Sequence, residues 1–281
     1  MKIKGFIELL RIPNDIMIGV AVIIGEYISL LSVPHISKLL FGFFSGFLFS
    51  ATIMILNDYF DVPVDMINNP NRPIVKGDVT KREALYSALI LSIIGLSLSL
   101  FLSIYAFIIG ITFLMLGFLY NYKVKRLGLL GNIIVSLSVS VPYVYGALAV
   151  DKSITLLIVI LFIMSFLANM SREIIKGIVD IEGDRALGIN TLAVTRGPKT
   201  ASLVASILII LAVIISYIPW IYNMLNIYYL VVVQFANLIF LFGVVKILND
   251  PSKSIAYFVK KLFLYAMAVG LLSFIVGTIN I

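Results

Sequence analysis

The chain has 281 residues, of which 61% are hydrophobic and only 12% are charged, and its mean hydropathy is +1.11. A water-facing surface needs roughly twice that share of charged residues, so this composition excludes a soluble globular protein. It also excludes a disordered chain and a nucleic-acid-binding module. With no cysteine and a single histidine, His35, the sequence offers neither thiolate nor histidine-rich metal sites.

Apolar stretches long enough to cross a bilayer, which takes roughly 20 residues, recur along the whole chain. Seven such stretches predict nine crossings, because two of them, 84–122 and 200–245, are long enough to cross twice; the others are 16–37, 39–57, 127–150, 153–171 and 262–281. The predicted fold class is all-α: a polytopic membrane protein whose nine transmembrane helices surround a central cavity. We expect residues 1–281 to form a single transmembrane domain.

Basic residues are distributed very unevenly between the two predicted faces of the membrane. Of the 21 lysines and arginines, 19 lie in the N-terminus and in the segments 58–83, 123–126, 172–199 and 246–261. Only Lys38 and Lys152 lie on the other face. By the positive-inside rule the first face is cytoplasmic. The odd number of crossings then predicts an integral protein of the cell membrane with its N-terminus in the cytoplasm and its C-terminus outside.

An acidic tract opens the predicted cytoplasmic loop 58–83. Asp58, Asp61 and Asp65 are spaced three and then four residues apart, which places them on one face if the stretch is helical. Pro63 disfavours an uninterrupted helix, so we expect a kink or a restarted helix there. Long cytoplasmic loops on a rigid scaffold are a common place for chemistry, and we expect this loop to carry part of the active site.

A second acidic tract lies in the other long cytoplasmic loop, 172–199. Asp180 and Asp184 are four residues apart, and Glu173 precedes them by two turns on the same face. Like charges at this spacing destabilise a helix unless a partner neutralises them. One alternative is that both tracts are solvated loop charges, but their recurrence on one face of the membrane favours a binding site.

Oxygen ligands without histidine or cysteine suit a hard cation such as Mg²⁺, which proteins usually hold with one or two carboxylates plus substrate phosphates. We therefore predict two Mg²⁺ ions, bridged by one diphosphate if the tracts face each other across the cavity. The predicted metal ligands are Asp58, Asp61, Asp65, Asp180 and Asp184. Cations stabilise a diphosphate leaving group. The basic residues nearest the tracts or at a helix end, Arg72, Lys123 and Lys176, are predicted to bind it.

At these residues the chain resembles the UbiA superfamily of intramembrane prenyltransferases. The family pattern Asn-Asp-x-x-Asp-x-x-x-Asp is matched in full by Asn57–Asp65, and the segments 11–14, 68–74 and 182–185 are also similar. One departure concerns Gly177, because many members carry an aspartate at this place. The resemblance therefore implies a second metal site with one carboxylate fewer.

The resemblance implies an isoprenoid diphosphate donor whose head binds at the acidic tracts, with Asn57 among the diphosphate-binding residues, and whose tail lies in the bilayer. Mg²⁺ assists ionisation of the allylic C–O bond, and the acceptor captures the carbocation. Tyr120 and Tyr143 can steady that cation with their aromatic faces, and Asn14 can contact the substrate. The residues do not identify a catalytic base.

The second tract most resembles archaeal members that transfer a geranylgeranyl group from geranylgeranyl diphosphate to the hydroxyl of geranylgeranylglyceryl phosphate, a step of ether-lipid biosynthesis. That lipid acceptor carries a phosphate, which Arg11, Lys125 or Arg126 can bind. Prenylation of an aromatic acceptor stays open. A cation-coupled transporter is the alternative from another class, but transporters place their coupling acids near the midplane, where this chain has only Glu26. Membrane lipids are further expected partners, and the oligomeric state is left open.

Overall fold

The computed structural model describes residues 2–151 and 153–279, apart from the side chains of Ile67 and Asn68. All regular secondary structure within these ranges is helical. Lys152, one of the two basic residues assigned above to the outer face, lies outside the described residues. The prediction of an all-α protein is confirmed for the described part of the chain.

Nine of the described helical segments are long and apolar enough to cross a membrane, as predicted. They are α2 (Ile12–Leu30), α3 (Ile36–Asn68), α4 (Lys81–Leu102), α5 (Ile104–Tyr122), α6 (Leu129–Val150), α7 (Leu156–Val179), α10 (Pro198–Ile215) with α11 (Ile218–Ile221), α12 (Ile227–Asn249) and α13 (Lys253–Gly277). Short helices flank them: α1 (Ile3–Leu10), α8 (Ile181–Ala186), α9 (Leu192–Arg196) and a single 3₁₀ turn (Val124–Arg126).

Several charged stretches that were predicted to be loops are the polar ends of helices. The helix α3 continues through Pro63 to Asn68, so the first acidic tract lies on a helix and the expected restart after Pro63 is wrong. Proline removes one backbone hydrogen bond, and Pro63 is exposed near the end of the helix, where water can satisfy the freed carbonyl. Likewise, α13 begins at Lys253, well before the start predicted at residue 262.

The chain divides into two compact units, and it passes between them after Tyr122, after Val141 within α6, and after Ile154. The first unit comprises the described residues through Tyr122 together with Pro142–Ile154. The second comprises Lys123–Val141 and the described residues from Thr155 onward, and the long helices α7, α10, α12 and α13 pack against one another in it. Ile175, Ile209 and Phe263 are fully buried in its core.

Glycines allow two helices of the first unit to approach closely. A Cβ atom at Gly25 would collide with the carbonyl oxygen of Tyr143, and one at Gly146 would collide with the carbonyl oxygen of Val22. Small residues at helix contacts are the usual means of close packing in membranes. The helix α2 therefore packs directly against the backbone of the C-terminal part of α6.

Glu26, the acid expected inside the membrane, is fully buried in the first unit. Its carboxylate lies against Gly42 on α3, where any side chain would collide with it. Neither carboxylate oxygen has a hydrogen-bond partner among the described residues. The glycine on α3 therefore provides the space that the Glu26 side chain fills.

Lys38 connects the C-terminal ends of two helices in the first unit. Its Nζ donates a hydrogen bond of 2.7 Å to the carbonyl oxygen of Leu102 at the end of α4. It donates a second, of 3.2 Å, to the carbonyl oxygen of Ala149 near the end of α6. The last carbonyl groups of a helix have no partner within the helix, and a cation there also opposes the helix dipole.

Replacing Lys38 by methionine is expected to lower the free energy of unfolding by about 2 kcal/mol, because two helix ends lose a charged hydrogen-bond donor. Thermal unfolding of the purified protein in detergent measures the change. The matched control is Lys4→Met, since Lys4 is exposed on α1. Equal unfolding midpoints for the two variants would show that the Lys38 contacts do not stabilise the fold.

Candidate active site

The first acidic tract lies along one face near the end of α3. Asp58 is almost completely buried, with 1% of its surface exposed, Asp65 is buried and Asp61 is half-buried. The Nδ2 atom of Asn57 donates a 2.9 Å hydrogen bond to Oδ1 of Asn121 on α5. The predicted helical spacing of the three aspartates is thus present, and it holds them at the polar end of a membrane-spanning helix.

Two arginines neutralise this tract in the structure. Nη2 of Arg11 donates to Oδ1 of Asp58 at 2.5 Å and to Oδ1 of Asn57 at 3.2 Å. The guanidinium of Arg72 lies 3.7 Å from Oδ2 of Asp58 and 4.0 Å from Oδ2 of Asp65. Arg72 had been predicted beside the tract, whereas Arg11 had been assigned to the phosphate of the acceptor. The structure places both arginines at the tract.

Two polar residues that hydrogen-bond to side chains of α3 were not among the predicted site residues. Oδ1 of Asp15, which is fully buried on α2, accepts a 2.6 Å hydrogen bond from Ser50, and its Oδ2 has no hydrogen-bond partner among the described residues. Asn121 donates to the carbonyl oxygen of Gly117 at 3.0 Å and holds the side chain of Asn57. In the sequence, Asp15 and Asn121 could have been noticed only as single polar residues within apolar stretches.

The second acidic tract lies where α7 ends and α8 begins. Asp180 is the exposed residue between the two helices, and Asp184 is half-buried on α8. Burial raises the pKa of Asp184 above its usual value, and the nearby carboxylate of Asp180 raises it further. A hydrogen bond from Thr191 and the charge of Lys176 oppose this shift.

The remaining carboxylates around the second tract are paired with cations. Glu173 is buried and accepts hydrogen bonds from Arg172 at 3.1 Å and from Lys176 at 3.2 Å.

A Cβ atom at Gly177 would lie 3.5 Å from the side chain of Thr191. That is an ordinary contact, so packing does not require glycine at this position.

The other predicted site residues are distributed over both units. Lys123 and Arg126 are exposed beside the 3₁₀ turn, and Asn14 is exposed in the first turn of α2. Tyr120 is half-buried near the end of α5, whereas Tyr143 is buried on α6 with 6% of its surface exposed. The prediction that these residues contact substrate stays a prediction.

The donor set of the first tract fits a hard cation. Within the described ranges, no cluster of three or more acidic, histidine or cysteine side chains is arranged as it stands to hold a metal ion. Yet Oδ2 of Asp58 is buried without a hydrogen-bond partner, and the ligands available are carboxylate oxygens, which Mg²⁺ prefers. A cation at this tract would share its aspartates with Arg11 and Arg72.

Replacing Asp184 by asparagine is expected to raise the unfolding midpoint of the metal-free protein at neutral pH. A carboxyl group whose pKa is raised by folding favours the protonated form, so its ionised form destabilises the folded protein. The gain is expected to disappear as the pH falls through the raised pKa, where Asp184 is neutral too. Thermal unfolding in EDTA at neutral and acidic pH measures it, and a variant that is less stable at neutral pH contradicts the expectation.

Nine helices of the described residues that are long and apolar enough to cross a membrane define an integral membrane protein. The chain belongs to the UbiA prenyltransferase family, whose model matches residues 18–275. It is therefore a membrane-embedded prenyltransferase, and the resemblance seen in the sequence is confirmed.

The relatives extend over the whole chain. Digeranylgeranylglyceryl phosphate synthase of Pyrococcus furiosus is 37% identical over 280 residues, covering 100% of this chain and 99% of the relative. The enzyme of the same name from Methanocaldococcus jannaschii is 36% identical over 280 residues, covering 100% and 98%. A solved structure from work on digeranylgeranylglyceryl phosphate synthase in membranes is 35% identical, with a TM-score of 0.89 and 99% of each chain covered.

A more distant structure shares the fold. The UbiA homologue from Archaeoglobus fulgidus bound to DMAPP and Mg²⁺ superposes with a TM-score of 0.71 at 17% identity, over 97% of this chain and 99% of that one. At this identity the similarity demonstrates a common arrangement of helices. It adds independent support for the nine-helix membrane fold.

Proposed function

We propose that this prenyltransferase transfers the geranylgeranyl group of geranylgeranyl diphosphate to the free hydroxyl of geranylgeranylglyceryl phosphate and releases diphosphate. The observation that carries the proposal is the end-to-end similarity, at 36–37% identity, to relatives named for digeranylgeranylglyceryl phosphate synthesis. In this reaction the allylic C–O bond of the donor breaks and an ether C–O bond to the acceptor forms. The hydroxyl proton is lost, and diphosphate is the leaving group.

The proposed metal ligands are the aspartates of the two tracts, Asp58, Asp61, Asp65, Asp180 and Asp184, with one Mg²⁺ ion at each tract. When bound, Mg²⁺ supplies positive charge that stabilises the departing diphosphate. The burial of Asp58 supports its proposed role as a metal ligand, because the attraction between a carboxylate and a metal ion is stronger away from water. The spacing of the aspartates along α3 lets more than one of them reach the same ion.

The proposed diphosphate-binding residues are Asn57, Arg72, Lys123 and Lys176. Arg72 is supported most directly, since its guanidinium already lies within 4.0 Å of two aspartates of the first tract. Cationic donors placed where negative charge develops lower the barrier to leaving-group departure. The asymmetry of basic residues supports a site that faces the cytoplasm, with a cytoplasmic N-terminus and an external C-terminus.

The test is a product assay with the purified protein, Mg²⁺ and radiolabelled geranylgeranyl diphosphate. Geranylgeranylglyceryl phosphate and 4-hydroxybenzoate are offered as acceptors in separate reactions, each with and without EDTA. We expect a labelled diether phospholipid that EDTA abolishes. A labelled aromatic product alone would assign a different acceptor, and failure to release diphosphate with either acceptor would contradict the proposal.

A further inference from the structure

Arg11 has an unusual backbone conformation at the junction of α1 and α2. Its φ of 46° and ψ of 49° lie in the left-handed region, which residues other than glycine adopt infrequently and at a cost in free energy. The carbonyl oxygen of Arg11 accepts hydrogen bonds from the backbone N–H groups of Asn14 at 2.8 Å and Asp15 at 3.4 Å. The strained residue is thus fixed at the start of α2, next to α3.

The side chain of Arg11 makes the closest charged contact with Asp58. Nη2 lies 2.5 Å from Oδ1 of Asp58, which is almost fully buried, and it also binds Asn57. The other cation at this carboxylate, Arg72, is 3.7 Å from Oδ2. Because Arg11 lies closer to the carboxylate than Arg72 does and donates a hydrogen bond to it, Arg11 is the principal counter-ion of Asp58.

This contact competes electrostatically with a metal ion that binds the same carboxylate. Mg²⁺ requires its ligand oxygens at about 2.0–2.1 Å in a near-octahedral shell, and it repels a guanidinium that touches one of those oxygens. A half-buried arginine that leaves its carboxylate is stabilised by another anion, because an unpaired charge partly removed from water is costly. A diphosphate brought to the tract together with the metal is such an anion.

We propose that Arg11 is a resident counter-ion of Asp58 that competes with the metal in the free enzyme and moves to the diphosphate when metal and diphosphate bind together. Arg11 then makes metal and diphosphate binding mutually dependent, since each ligand favours the arrangement that the other needs. The proposal rests on the proposed function in one respect, namely that Asp58 is a metal ligand. It assigns Arg11 a role in ordering the binding steps, in contrast to the role at the acceptor phosphate expected from the sequence.

The first experiment measures Mn²⁺ binding by the full-length protein in detergent without diphosphate, using the electron paramagnetic resonance signal of free Mn²⁺. We expect Arg11→Gln to bind Mn²⁺ roughly tenfold more tightly than the wild type, because the competing cation is gone. Arg11→Lys keeps the charge and is expected to stay near the wild type. Lys76→Gln removes an equal charge from an exposed position of the loop after the tract and is expected to have little effect.

The second experiment measures the effect of a non-hydrolysable geranylgeranyl thiolodiphosphate on Mn²⁺ affinity. The analogue is expected to tighten Mn²⁺ binding to the wild type, and to tighten it much less in Arg11→Gln, where Arg11 no longer has to be displaced from Asp58. Circular dichroism and the unfolding midpoint identify a variant that has not folded, and Arg11→Met, which keeps the length of the side chain without its charge, then replaces Arg11→Gln in both measurements.

Three outcomes would overturn the proposal. They are an Arg11→Gln affinity for Mn²⁺ equal to or weaker than that of the wild type, the same coupling between metal and analogue in both proteins, and no Mn²⁺ binding by any variant. Both experiments omit the acceptor and require no turnover. A failure of the product assay to yield a diether therefore leaves their result intact, and the two proposals can fail separately.

Discussion

Asp58→Asn is expected to reduce prenyl transfer by roughly a thousandfold, the scale seen when one group that stabilises developing charge is removed from an enzyme. Asparagine has nearly the same shape but lacks the negative charge that a metal ion requires. Its amide oxygen can still accept a hydrogen bond from Arg11, which pairs with Asp58, so we expect the helices to stay packed. Product formation from labelled geranylgeranyl diphosphate measures the loss.

Asp78→Asn is the matched control for this variant. Asp78 lies in the loop after the first tract and pairs with the exposed side chain of Lys2 at 2.5 Å, an ion pair of the kind that contributes little to stability. We expect its turnover to remain close to that of the wild type. If Asp58→Asn kept a comparable rate, Asp58 would have to be removed from the proposed metal site.

Gly146→Ala is expected to destabilise the protein by about 3 kcal/mol, because overpacking a close helix contact forces the backbone apart. The added Cβ would collide with the carbonyl oxygen of Val22 and lie 2.9 Å from the backbone nitrogen of Glu26. Both are backbone atoms of α2, so no side-chain rotation relieves the collision. Gly25→Ala should act similarly, since its Cβ would meet the backbone of Tyr143.

Gly270→Ala provides the control for the glycine variants. Gly270 lies within α13, and a Cβ atom there would approach only the Cβ of Ala236, at 3.8 Å. Alanine favours a helix over glycine by about 1 kcal/mol, so this variant is expected to be as stable as the wild type or more stable. Thermal unfolding in detergent compares the three proteins. A Gly146→Ala midpoint at or above the wild-type value would mean that α2 and α6 can separate at no cost.

Much of the fold follows from local sequence. A stretch of uncharged residues must form a helix if it lies in a bilayer, because no water is available to satisfy its backbone groups. The count of nine crossings therefore follows from the lengths of these stretches, confirmed for the described helices. The helix boundaries were harder to predict, since α3 and α13 extend into charged sequence that the same criterion assigns to loops.

The candidate site was only partly predictable. The spacing of Asp58, Asp61 and Asp65 indicated a common helical face, and α3 provides it. The pairing of Arg11 with Asp58 across 47 residues left no trace in the local pattern. The same holds for Asn121, which holds Asn57 from a position 64 residues away.

The sequence by itself determined that this protein is an all-α membrane protein of the UbiA prenyltransferase family, with two tracts of regularly spaced acids. These properties depend on hydrophobic length and residue spacing, which a linear pattern records. Only the tertiary structure decided that Arg11 is the counter-ion of Asp58 and that Lys38 donates hydrogen bonds to the ends of α4 and α6. It also decided that Gly146 packs against the backbone of α2. Each of these contacts depends on which helix faces which, and helices that are apolar on every side do not encode that choice in their periodicity.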